Sequence, residues 1–120
     1  DLTGTSAEAT TILEPFVTSS LAQRVRDANQ VFREIPFVGV GPDGSAVTGS
    51  IDLLMETGDG WTVVDYKTNR VRDQKDAERQ AEHYEGQAAL YSHALRQALD
   101  LDSVRFELWF VRGPYVVGMP

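Results

Sequence analysis

Two turn signals, Gly41-Pro42-Asp43-Gly44 and Gly58-Asp59-Gly60, cut the middle of the chain into three runs rich in β-branched and aromatic residues. The runs are Val31 to Val40, Ala46 to Thr57 and Trp61 to Lys67, each long enough for a strand and joined by connections short enough only for hairpins. A chain punctuated in this way is committed to a three-stranded antiparallel meander. The polar stretch Thr68 to Lys75 then leads into a helical pattern from about Asp76 to Leu99, in which Ala77, Ala81, Tyr84, Ala88, Tyr91, Leu95 and Ala98 recur at steps of three and four. Val104 to Val111 reads as a further strand, and Tyr115-Val116-Val117 as another after the Gly113-Pro114 turn. Ahead of the meander, Thr5-Ser6-Ala7-Glu8 and Ser20-Leu21-Ala22-Gln23 both have capping-box spacing, which predicts short helices near 6–17 and 21–29, the first frayed by Pro15. The expected fold class is α+β, in the order ααβββαβ(β).

At 120 residues the chain is expected to form a single domain over 1–120. Its start at Asp1 and its stop at Met119-Pro120, just after an apolar stretch, read as a segment of a longer chain. The absence of cysteine excludes disulfides, thiolate zinc sites, cysteine nucleophiles and iron-sulfur clusters, so a metal here has only oxygen or imidazole ligands. No apolar run approaches the roughly 20 residues of a membrane span, so no membrane partner is expected. The lack of cysteine does not fix the compartment, no signal peptide is visible, and the setting is expected to be cytoplasmic. A net charge of -7 opposes free-standing binding to a phosphate backbone.

Charge is placed inside the strands that are otherwise most apolar, at Asp52 in Ile51-Asp52-Leu53-Leu54 and at Asp65 and Lys67 in Val63-Val64-Asp65-Tyr66-Lys67-Thr68. Alternation puts Asp65 and Lys67 on one face and Tyr66 on the other. A Gly58-Asp59 turn makes facing residues sum to 117 and sets Asp52 opposite Asp65; an Asp59-Gly60 turn makes the sum 119 and sets Asp52 opposite Lys67. Either register gathers all three charges on one face. Two carboxylates so close are relieved by a divalent cation between them, for which hard oxygen ligands imply magnesium or manganese. A nearby lysine can then support charge developing on a phosphate. A plain salt bridge between Lys67 and one aspartate accounts for the same residues without chemistry. For Glu34, a three-residue hairpin at Pro42-Asp43-Gly44 makes facing residues sum to 86 and places it opposite Asp52 as an accessory acid, whereas a two-residue turn sends it to the other face.

The ordered set Gly49-Ser50-Ile51-Asp52-Leu53-Leu54, Val63-Val64-Asp65-Tyr66-Lys67-Thr68-Asn69 and Tyr84-x-x-Gln87-x-x-x-Tyr91 resembles the G-x-I-D-L-L, V-V-D-Y-K-T and Q-x-x-x-Y motifs of RecB-like nuclease domains. These belong to the PD-(D/E)xK superfamily and stand at the C-terminus of the RecBCD, AddAB and AdnAB helicase-nucleases. Arg33-Glu34-Ile35-Pro36-Phe37 is similar to the R-E-x-P-F strand of AddA-type chains. The resemblance implies a restriction-endonuclease-like core and a magnesium- or manganese-dependent DNA exonuclease working in recombinational repair. Its partners would be DNA, a helicase motor in the same chain and a second subunit. It further implies that Asp52 and Asp65 bind metal with the backbone carbonyl of Tyr66, that Lys67 assists catalysis, and that Gln87 and Tyr91, four apart on one helical face, reach the same site. Tyr91 also suits a core aromatic, and Tyr84 reads as core packing. The family usually carries a histidine ligand in an N-terminal G-x-x-x-H helix. His83 and His93 are both on the later helix and neither reads as that ligand, which lies upstream of Asp1 or is missing. The alternative function is a binding module of the same fold without catalysis.

Overall fold

The computed structural model describes residues 20–119, so the helix expected near 6–17 lies outside the described residues. The elements are α1 (Ser20–Asp27), β1 (Gln30–Val40), β2 (Ala46–Thr57), β3 (Gly60–Lys67), α2 (Gln74–Ala81), a 3-10 turn at Glu82–Tyr84, α3 (Glu85–Ala98), β4 (Arg105–Phe110) and β5 (Tyr115–Met119). The five strands form one sheet in sequence order. β1, β2 and β3 are antiparallel neighbours, β4 runs parallel to β3, and β5 returns antiparallel to β4. The α+β class is the one expected, and over the described residues the order of strands and helices follows the expected one except that the long helix is divided.

The parallel β3–β4 pair requires a crossover, and α2 and α3 supply it. Ala77, Ala81, Ala88 and Leu95 pack on Ile51, Leu54, Val63, Phe106, Leu108 and Phe110 across one face of the sheet. Leu21 of α1 packs on Leu53, Met55, Val64, Trp109 and Val111 on the other. Covered from both sides, β4 is buried at every position from Phe106 to Phe110, including the acidic Glu107. Two glycines let α3 lie close to the β1–β2 hairpin. A Cβ at Gly39 would fall 2.7 Å from Cβ of Ala94, and one at Gly49 would fall 2.8 Å from the Tyr91 ring.

Two features depart from the sequence reading. The single helix expected over 76–99 is divided, because a 3-10 turn at Glu82–Tyr84 separates α2 from α3. One tight turn advances the helical phase by about 60°, too little to disturb apolar steps of three and four. Strand alternation is also broken once. In β1–β2 the partners sum to 86 along the whole hairpin, but the pairing skips Glu34 and Asp52 between Arg33↔Leu53 and Ile35↔Ile51. Glu34 has φ +52 there. Beyond the break, Ile51 and Leu54 face the same helices although they are three residues apart.

Candidate active site

The β2–β3 partners sum to 117, as a Gly58-Asp59 turn requires, but the pairing stops at Leu53↔Val64. β3 continues to Lys67 along β4, so its last three residues have a neighbour on one side only. A backbone N–H on the vacated side needs another acceptor. Asp52 provides it, its Oδ2 accepting from Tyr66 N at 2.8 Å. The carboxylate thus lies in the notch between the parting strands.

Asp65 enters the same notch from β3, and its carboxyl group is hydrogen-bonded to that of Asp52. Lys67, two residues on, reaches back so that Nζ lies 3.0 Å from Asp65 Oδ2. Asp52, Asp65 and Lys67 are therefore brought together as expected. The arrangement is electrostatically tense. Burial, and then the contact with Asp65, push the Asp52 carboxyl up to about 6, against the opposing pull of the Tyr66 N–H and the Lys67 charge. Two carboxyl groups in contact hold together by sharing a proton or by sharing a cation.

The donor set fits a small, hard divalent ion. Among the described residues no group of three or more His, Cys, Asp or Glu side chains comes together to hold a metal. Among the described residues, side chains would thus contribute the Asp52–Asp65 pair, an all-oxygen set of the kind hard divalent ions take together with water.

The other expected site residues divide. The Tyr66 side chain turns to the α1 face beside Trp109, where burial raises its hydroxyl and a hydrogen bond with Arg33 partly offsets this; only its backbone belongs to the notch. Tyr91 meets Phe37 edge to face at 5.2 Å and lies over Gly49, in the packing role its apolar spacing allows. Gln87 is exposed on α3. Neither Gln87 nor Tyr91 has a hydrogen bond to Asp52, Asp65 or Lys67. Glu34 stands at the level of Asp52 on the neighbouring strand, exposed and in a left-handed conformation rather than in the ladder.

Tyr84 has a part that its place in the apolar stripe concealed. Its ring packs against the core, and Lys67 Nζ sits 3.9 Å from the ring centroid. Asn69, just after β3, donates to the Tyr84 hydroxyl at 3.3 Å and to Gln80 Oε1 at 3.0 Å. The readable signal was Tyr84 standing in a shared motif together with Gln87 and Tyr91.

An open notch at parting strands, holding two aspartates and a lysine on a mixed sheet between helices, is the framework of one nuclease class. The PD-(D/E)XK nuclease superfamily matches residues 3–118, and the chain belongs to that superfamily. It is 38% identical over 100 residues to an ATP-dependent helicase/nuclease subunit of Heliobacterium modesticaldum, a match spanning 70% of this chain and 7% of that protein. The corresponding helicase/nuclease subunit of Bacillus cereus (strain Q1) is 31% identical over 121 residues, covering 85% of this chain and 10% of the relative. That of Oceanobacillus iheyensis is 25% identical over 124 residues, covering 90% and 10%. The chain corresponds to a small part of each of these relatives.

Proposed function

We propose that the chain is a divalent-metal-dependent DNA exonuclease domain of a recombinational-repair helicase-nuclease. It would hydrolyse phosphodiester bonds of DNA delivered by a helicase motor in the same polypeptide, in the cytoplasm and with a second subunit in the complex. The observation that carries this reading is the Asp52–Asp65 pair, two carboxyl groups in contact where β2 leaves β3, with a lysine 3.0 Å away.

Asp52 and Asp65 would hold magnesium or manganese together with the Tyr66 carbonyl; when bound, the ion polarises the phosphate and acidifies a water. The chain's own groups then do the rest. Lys67 neutralises charge that develops on the non-bridging oxygens as the oxygen of water bonds to phosphorus and gives up a proton, while the bond to the leaving deoxyribose oxygen breaks and that oxygen takes up a proton from solvent. The notch keeps these groups on one side of the sheet, open to a strand laid across it. Gln87, exposed on α3, would meet DNA, and Tyr91, packed over Gly49 of β2, would support the strand that carries Asp52. A net charge of -7 makes the motor's DNA contacts necessary, since tethering raises the local substrate concentration.

The test is made in the parent enzyme. Asp65→Ala or Lys67→Ala should lower DNA degradation by at least about a hundredfold, the scale on which single charge-stabilising groups act. ATP hydrolysis and unwinding should continue. Calcium, larger and less exacting in geometry, should bind without supporting normal turnover, and its binding should weaken in Asp65→Ala. Undiminished cutting by Lys67→Ala would indicate a binding module instead.

A further inference from the structure

We propose that Tyr84 is a positioning residue for Lys67, its ring face holding the ammonium at the notch when Asp65 is engaged elsewhere; this rests on the nuclease reading above. A lysine is a point charge on a flexible four-carbon stem, and holding it requires more than one contact. Lys67 has two, Asp65 at 3.0 Å and the Tyr84 ring at 3.9 Å. The first is not permanent in a working site. Once the Asp65 carboxylate coordinates a cation it has less charge to offer the ammonium, and the cation itself repels Lys67. The aromatic face is the contact that survives, since its attraction for a cation comes from the ring quadrupole and uses no coordinating atom.

The ring is braced for such a role. Asn69 Nδ2 donates to the Tyr84 hydroxyl and to Gln80 Oε1, and Gln80 Nε2 in turn donates to the Arg70 carbonyl at 3.0 Å and to Asp76 Oδ2 at 3.3 Å. Asp76, at the start of α2, accepts from Arg72 N at 2.9 Å. The segment following β3 and the first turns of α2 are thus tied together around the aromatic residue. Tyr84 closes the 3-10 turn with φ -106 and ψ 0, so the interruption between α2 and α3 falls at the residue that stacks on Lys67.

The chain has only two lysines, Lys67 and the exposed Lys75, so labelling lysine with carbon-13 gives two sets of side-chain signals and an internal reference. In the 120-residue chain with calcium added, the Lys67 ε-methylene protons should lie upfield of those of Lys75 because of the ring current. They should keep that displacement in Tyr84→Phe and lose it in Tyr84→Leu. In the parent enzyme Tyr84→Leu should reduce kcat for DNA cutting about tenfold with KM unchanged, within the range of one cation–π contact. Tyr84→Phe should recover most of that loss, which a purely packing or hydroxyl role would not predict in combination with the lysine signal. If Tyr84→Leu fails to fold, the wild-type spectrum and Asn69→Ala, which loosens the brace and should diminish the displacement, carry the test. An undisplaced Lys67 signal in a chain that cuts DNA overturns the positioning role alone. A wild-type parent that cuts nothing with magnesium or manganese overturns the nuclease reading, and the positioning role with it.

Discussion

Among the ion pairs of the described residues, two of nearly equal length lie on opposite faces of the sheet, and they are built on opposite plans. On the α1 face, Arg24 donates two hydrogen bonds to buried Glu107, at 2.8 and 3.2 Å, and Trp109 Nε1 donates a third at 2.8 Å. The guanidinium also lies over the Trp109 ring, 5.4 Å from its centroid. Although burial pushes the Glu107 carboxyl up, these donors prevail and hold it below its ordinary value. At the notch, Asp65 and Lys67 pair at 3.0 Å, but a second carboxyl is pressed against the first and pushed up to about 6. One cluster has a donor for each charge it buries. The other has an acid too many, which is the condition that a bound cation corrects.

The contrast can be broken most forcefully from its satisfied side. Glu107→Ala should destabilise the domain by about 2 kcal/mol, leaving a partly buried guanidinium and an indole N–H without their acceptor. The figure is at the low end for a broken buried pair because Arg24 remains 35% exposed. Urea unfolding would measure it, and a loss below about 0.5 kcal/mol would remove the distinction between the clusters.

The strained side should respond to pH in the opposite sense from a salt-bridged acid. Asp52 rises from 3.8 to about 6 on folding, so the folded chain binds the extra proton more tightly than the unfolded one. Without metal, the Asp52 contribution to stability should therefore be fully present below about pH 4 and be lost as pH rises through 6. Allowing for solvent screening of this half-exposed group, the decline is about 1 kcal/mol. Asp52→Asn should flatten that profile, and metal binding to the wild type should release a proton below pH 6. A profile that rises over this interval in the wild type and is unchanged in Asp52→Asn would contradict the assignment.

The smallest effect concerns the strand beside the notch. Glu34 adopts φ +52, a conformation that costs a side chain about 1 kcal/mol and glycine little. Glu34→Gly should leave stability unchanged or raise it by less than about 1 kcal/mol, whereas Glu34→Val should lower it. Thermal unfolding distinguishes the two.

What could be read in advance follows the range of the interactions. The turn at Gly58-Asp59-Gly60 sets its register locally, so counting along the chain is enough to gather Asp52, Asp65 and Lys67 on one face, but not to decide between the two registers that put Asp52 opposite Asp65 or opposite Lys67. The apolar steps located α3, but steps of three and four are equally compatible with a helix interrupted by one 3-10 turn, and the division at Glu82–Tyr84 was invisible. Tyr84 was hidden for a related reason, since an aromatic in an apolar stripe satisfies the packing pattern whether or not a cation sits on its other face. The shared disruption at Glu34 and Asp52 left no mark because the count of facing residues is the same on both sides of it. Arg24 and Glu107 are separated by 83 positions, and no local pattern joins them.

The hydrogen bond from Tyr66 N to Asp52 gives position 52 a double duty. It is at once the acceptor that closes the sheet where a strand has departed and one of the two acids proposed to hold the metal. Relatives of this domain that lack nuclease activity would be released from Asp65 and Lys67, whose proposed roles are chemical, but not from the need for a side-chain oxygen at 52. Descent with loss of function should therefore erase the site unevenly, with asparagine or aspartate surviving at 52 after its two companions have drifted to other residues.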